Sequence, residues 1–411
     1  MGTGAPEWLD YRTARPAKFT RRAVPGLPSE AKIRLTAAEA NVLLQATTDC
    51  PCNPYRQSEV EGFINAAKRA ASTAFAPSTR QAVPDILDSG FGALLFENLP
   101  LDADLPPTPT ACGALDPSYK ETFVSEFVAV ALGALVTAEI FNFRQEGRGS
   151  APLFDNVVPV PELRAQRGAG GFENNFPFHC ESAWHRLRPD YVVLLGIRKD
   201  PAAQTLVSSV TKILDQKMVA SMPPASYRLK PPELYIQMAK QGMPLGTPFY
   251  RVCAPIDMRG AGRVNVNLNG TDCLGDEAAD WLATFEDMTE STAVSAVLEP
   301  GNALVMNNHR TSHTRTGFIP FFGSEARWFL RGNFKKNLWE DTPAFLGEDG
   351  LSAADLKLLN DQGWTDADGN LTASFLPFTV EPQQIALLPA DLQPLAAKAL
   401  QLTPVRGSRI V

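Results

Sequence analysis

The chain has 411 residues, 44% of them hydrophobic, with 34 Pro, 29 Gly, six Cys, only four His and a net charge of −7. That balance describes a globular protein with ample length for a core. Mild acidity spread over both signs excludes the basic stripe that a nucleic-acid or anionic-membrane partner requires, which leaves a small molecule or a protein as partner.

The first residues, MGTGAPEWLDYRTARPAKFTRR, contain no continuous apolar run of the kind a secretory signal needs, so a cytoplasmic location is expected. Thr36 followed by Glu39 is a capping box that opens an amphipathic helix over TAAEANVLLQAT, and a second helix is expected from about Ser58. The apolar run 93–96 between turn residues reads as a buried strand, and Leu105 to Pro117 is a proline-rich loop. A long helix is expected from about Tyr119 to Thr137; its apolar stretch FVAVALGAL is far short of the roughly 20 residues that span a bilayer, so it belongs in the core.

Beyond it the texture changes to short runs of β-formers punctuated by Gly, Pro and Asn. These are FDNVVPV, FPFHCES, DYVVLLGIR, TLVSSVTKIL, YRVCAPI, RVNVNLN, AVLEPGNALVMNN and ARWFLRGNF. Short strands at this spacing suggest a barrel or a double-sheet jelly roll, in a chain of mixed α and β class. Residues 214–248 interrupt the strands as an insertion with the character of a lid. The organisation read from this pattern is a helical segment, 1–89, packed on a core at 90–339, with a helical and loop extension of the same domain at 340–411. The cysteines are scattered, and Cys50-Pro-Cys52 is neither a redox motif nor a zinc half-site, so reduced and mostly buried thiols are expected.

The four histidines fall in two pairs, His179/His185 and His309/His313. If FPFHCES is a strand, His179 and Glu181 project from one face and an imidazole and a carboxylate converge. Far downstream, NHRTSHTRTGF supplies His313 on another strand. Two His and one carboxylate form the facial triad of non-haem Fe(II) oxygenases, with positions left open for a co-substrate and O2. Zinc hydrolases use similar ligands. Arg327, fourteen residues after His313, offers the bidentate fork that the distal end of a dicarboxylate needs. A zinc-dependent hydrolase, and a jelly-roll binding module without catalysis, remain open on these residues alone.

The set FHCESAWHRLRPDYVVLLGIR, TLVSSV, GNALVMNNHRTSHTRTGF and RWFLR resembles the clavaminate synthase-like iron(II)/2-oxoglutarate oxygenases, including the asparagine and arginine oxygenases of peptide-antibiotic pathways. The resemblance runs from about Gly90 to Phe334 and implies a double-stranded β-helix, a cupin-like jelly roll. It implies that His179, Glu181 and His313 bind Fe(II), that Arg327 grips the C5 carboxylate of 2-oxoglutarate and that Thr205 assists it. It further implies that Arg331 takes the α-carboxylate of the substrate and that Gln145 contacts its α-amino end, with Glu181 serving both metal and amine.

The reaction implied is hydroxylation or desaturation of an aliphatic carbon of an amino acid or a derivative, with release of succinate and CO2. Two departures from the family pattern stand out. His309 is not a ligand position of the family and is a candidate for the pocket wall, whereas His185 reads as structural. In RVNVNLN, where amino-acid oxygenases of the family tend to carry Asp, this chain carries Asn265, Asn267 and Asn269. Neutral amides do not offset a buried cation, so a substrate with an uncharged or hydrogen-bonding side chain is expected, unless Asp257, Asp272 or Asp276 enters from a loop.

Overall fold

The computed structural model describes residues 8–14, 24–113, 115–142, 153–184, 188–209, 220–223, 226–230, 251–252, 254–257, 263–336 and 405–406. The capping box forms as the residue types dictate. Thr36 accepts from the Glu39 N–H, the Glu39 carboxylate accepts from Thr36, and α1 spans Ala37–Thr48. Helix α2 spans Val60–Ala74 after a single 3-10 turn.

The apolar helix α3 spans only Val124–Ala134, shorter than its sequence suggests. Its first turn is capped from a distance: the Asp102 carboxylate accepts the N–H groups of Val124 and Ser125, the hydroxyls of Thr122 and Ser125, and the Lys120 ammonium. Lys120 is thereby held outside the helix, between Asp102 and Glu126, at 2.8 and 2.7 Å. Every residue from Val124 to Gly133 is buried, as a helix apolar on all sides must be.

The strands that follow build two sheets. In chain order they are β1 (Ala93–Glu97), β2 (Glu139–Asn142), β3 (Phe154–Val157), β4 (Phe176–His179), β5 (Tyr191–Arg198), β6 (Thr205–Ser209), β7 (Val294–Ala296), β8 (Ala303–Asn307), β9 (Thr311–Arg315) and β10 (Trp328–Lys335). The larger sheet runs β2-β10-β5-β8-β1, with β3 also on β10, Val405–Arg406 beside β2 and Lys32–Arg34 outermost beside β1. The smaller runs β7-β6-β9-β4. All these pairings are antiparallel except that of Lys32–Arg34 with β1.

The larger sheet is buried on both faces, which explains why YVVLLGI reads as a continuous apolar run. Val193, Leu195, Val305 and Leu330 join α2 and α3 in one cluster. Their neighbours Val192, Leu194, Leu304, Met306 and Phe329 point the other way, to Val207 and Ala296 of the smaller sheet. The site opens where this inter-sheet layer stops being purely apolar.

The run RVNVNLN does not form the expected strand. Only Arg263–Val264 pairs, with Ile256–Asp257, and Asn267 makes a single bridge to His179. A helix, Gly275–Thr292, and a small sheet containing Trp8–Asp10, Thr271–Leu274 and Tyr227–Leu229 enclose a second core around Trp281 and Phe285. Among the described residues no helix is long and apolar enough to cross a membrane. Among the described residues Cys50, Cys52, Cys112, Cys180 and Cys273 form no disulfide, and Cys253 lies outside them.

Candidate active site

His179 ends β4 and His313 is the middle residue of β9; the two strands are neighbours and the two histidines are register partners. Their rings lie 4.2 Å apart between centroids, and Phe176 stacks on His179 at 3.9 Å. The Nδ1–H of His179 donates to the carbonyl of Pro177 at 2.9 Å, which fixes the tautomer and leaves Nε2 bare for a cation. Burial pushes both imidazoles below the ordinary histidine range, and for His313 the proximity of His179 and Arg331 adds to it. Both are therefore neutral, the state in which an imidazole can bind a metal.

Glu181 reaches the same point by a different route from the one a strand would provide. The strand stops at His179, and Glu181 starts a turn in which Ser182 takes a left-handed φ of 49°. What holds Glu181 there is Asn308. The Asn308 amide accepts from the Glu181 N–H at 2.7 Å and donates to the carbonyls of Glu181 and Pro189, both at 2.9 Å. One ligand atom from each of His179, Glu181 and His313 then lies within 4.8 Å of the others.

The Oε2 atom of Glu181 is 2.8 Å from Nη1 of Arg331 but is not aligned for a hydrogen bond, and no donor serves it. A buried carboxylate oxygen without a donor, beside two neutral imidazoles, suits a divalent cation. The residues therefore fit a metal.

Thr205, Arg327 and Arg331 line the same cavity, with Val157, Ala169, Phe176, Leu194, Thr314, Arg315 and Phe329. A slip of the β5–β10 register between Trp328 and Phe329 marks a bulge of the kind that re-aims side chains near sites. The inner face of this stretch presents Arg327, Phe329 and Arg331 in turn.

The two arginines differ in their surroundings. Arg331 is ion-paired with Asp155 at 2.7 Å as well as with Glu181, and these carboxylates raise its pKa, although its Nε is buried without a partner. Arg327 is 5% exposed, stacks on Phe329 at 3.8 Å and makes no hydrogen bond or ion pair among the described residues. Burial, then the charge of Arg315, holds its pKa down to about 9. An uncompensated buried guanidinium is costly to keep and calls for an anion supplied by a ligand.

The structure thus brings together six of the residues singled out in the sequence and leaves others aside. Asn265 is buried and donates its amide to the Ala254 carbonyl at 3.2 Å; neither it nor Asn267 lines the cavity. Asp272 is spent on Arg228 and Lys230. His309 is not in the pocket wall: Arg188 donates to its Nδ1 and its Nε2–H donates to Asp190, at 2.7 and 2.8 Å. Gln145 and His185 lie outside the described residues. Asn308, Asp155 and Arg315 were missed; of these only Arg315, two residues after His313 and so on the same strand face, left a signal in the sequence.

No protein-family model matches the sequence. The chain is 30% identical to the L-asparagine oxygenase of Streptomyces coelicolor over 253 residues, 59% of this chain and 71% of that one. It is 29% identical to clavaminate synthase 2 of Streptomyces clavuligerus over 316 residues, 68% of this chain and 90% of that one. Among solved structures, asparagine oxygenase in complex with Fe(II), 2S,3S-3-hydroxyasparagine and succinate superimposes with a TM-score of 0.64 at 24% identity, covering 76% of this chain and 96% of that chain. That likeness establishes a shared fold.

Proposed function

The chain belongs to the clavaminate synthase-like iron(II)/2-oxoglutarate-dependent oxygenases, and on that premise we propose that it oxidises an unactivated C–H bond of a free amino acid or amino-acid-derived small molecule. 2-Oxoglutarate and O2 are the co-substrates, and succinate and CO2 leave with the hydroxylated or desaturated product. His179, Glu181 and His313 hold the iron, which when bound supplies the activation of O2 for attack on the C–H bond.

The protein's own contribution is placement. Arg327, helped by the Thr205 hydroxyl, binds the distal carboxylate of 2-oxoglutarate. Arg331, with its unpartnered Nε, receives the α-carboxylate of the substrate, and Gln145 is assigned its α-amino end. Phe176, Leu194, Phe329 and Val157 keep the surrounding wall dry, which strengthens each of these charge contacts and fixes the carbon presented for reaction. Both carboxylates near the centre, Glu181 and Asp155, are already paired with Arg331. A cationic substrate side chain would therefore meet no free counter-charge among the described residues, and an amino acid with an uncharged side chain is favoured.

The observation that carries this reading is the meeting, in one cavity, of a metal-binding triad and a buried guanidinium with no anion of its own. A zinc hydrolase would have no use for Arg327. The test is anaerobic: Fe(II) and 2-oxoglutarate should give a weak visible charge-transfer band, and His179→Ala should abolish it. A band that never appears, or that survives the substitution, overturns the proposal. A screen for substrate-dependent succinate should then favour amino acids with uncharged side chains, and equal turnover of free arginine or lysine would refute the substrate class.

A further inference from the structure

We infer that Arg315 is a second cationic anchor for the distal carboxylate of the co-substrate, acting beside Arg327. The inference rests on the reading of this cavity as a 2-oxoglutarate site. Arg315 ends β9 two residues after His313, and its register partner on β6 is Thr205. It is 6% exposed and lines the cavity together with Thr205 and Arg327. The guanidinium groups of Arg315 and Arg327 flank the same ring, that of Phe318, at 5.4 and 5.8 Å from its centroid.

Neither guanidinium has a carboxylate within 4 Å among the described residues. Arg315 donates through Nη1 to the carbonyls of Asn174 and Thr316, at 3.2 and 2.9 Å, and through Nη2 to that of Gly168 at 3.5 Å. Carbonyls satisfy donors but carry no net charge. Asp200 acts on Arg327 only from beyond contact distance, and its two oxygens are occupied by the N–H groups of Ala202 and Phe321, at 2.9 and 3.3 Å.

The cavity is therefore polarised. At the Arg331 end a single cation has two carboxylates, Asp155 and Glu181, whereas the other end buries two like charges that repel one another. Such a pair is tolerable only if a ligand brings the counter-charge. A carboxylate lodged between two guanidinium groups accepts charge-assisted hydrogen bonds from both. The consequence is a site that selects a dianionic 2-oxo acid over a monoanionic one more sharply than a single arginine would.

The test is calorimetric and independent of turnover. Protein loaded with Co(II) is titrated with 2-oxoglutarate and with 2-oxopentanoate, which has the same chain length and lacks the distal carboxylate. Arg315→Gln should weaken 2-oxoglutarate binding roughly 10- to 100-fold, the loss expected for hydrogen bonds to a charged group, while 2-oxopentanoate binds as before. Arg315→Lys, which keeps the charge and guards against misfolding, should recover part of the loss. Equal weakening of both acids would assign Arg315 a purely structural role, and unchanged binding of 2-oxoglutarate would remove it from the site; either result overturns the inference. If the unaltered protein binds no 2-oxoglutarate, or Arg327→Gln binds it as well as the unaltered protein does, the co-substrate reading itself fails and this inference with it.

Discussion

Replacing Arg327 by Met should make the empty protein more stable and the protein blind to 2-oxoglutarate. In the folded state the guanidinium is held down to about 9 against an ordinary 12.5, chiefly by burial. At about 1.4 kcal/mol per pH unit the charged form costs the empty folded state on the order of 5 kcal/mol. Met fills a similar volume without that charge but forfeits the stacking on Phe329, worth about 1 kcal/mol. The net gain is about 4 kcal/mol.

For a chain of this length 1 kcal/mol moves the Tm by about 1 °C, so the variant should melt roughly 4 °C higher. 2-Oxoglutarate at 100 times its Kd adds about 2.7 kcal/mol to the metal-loaded unaltered protein and should add nothing to the variant. The charge penalty is fully present below the folded value and fades as pH rises from about 9 toward 12.5, so the difference between the two proteins should shrink over that interval. Thermal unfolding with and without 2-oxoglutarate, at neutral pH and above pH 9, measures all of this. A lower Tm for the empty variant together with a retained response to 2-oxoglutarate would refute the reasoning.

Two further outcomes follow from neighbours of the site. Asn308→Ala removes the three hydrogen bonds that fix the turn carrying Glu181, and should lower metal affinity about 10- to 100-fold, read as the Kd for Co(II) by competition with a chelating dye; an unchanged Kd would mean that the turn holds itself. His309 is pushed down to about 3 by burial and by Arg188, so the unfolded chain takes up a proton near the ordinary 6.5 that the folded chain refuses. Stability should therefore fall as pH drops from about 6.5 toward 4, by up to about 1.4 kcal/mol per pH unit from this group. His309→Asn should flatten that slope in urea unfolding, and an identical slope in the variant would refute the assignment.

The parts legible in the sequence were those governed by local rules. Thr36 and Glu39 are three residues apart, and a capping box needs nothing else. The run YVVLLGI is apolar on both faces of its strand, and burial on both faces is what that pattern means. His179, Glu181, His313, Thr205, Arg327 and Arg331 were picked out by residue type, spacing and resemblance, and all six face one cavity.

Long-range contacts decided the rest. Helix α3 starts at Val124 because Asp102, twenty-two residues earlier, caps it. RVNVNLN has strand residues but little strand, and the amide of Asn265 is turned to the Ala254 carbonyl. Histidine scarcity drew attention to two pairs, yet whether a histidine becomes a ligand or a buried strut depends on what faces it. His313 faces His179 across a strand pair, whereas His309, four residues earlier, is enclosed by Arg188 and Asp190. Composition and spacing determined which residues can do the chemistry. Only the packing of the two sheets decided which charges lose their partners, because counter-charge is a property of neighbours in space, and that is what leaves Arg315 and Arg327 awaiting an anion.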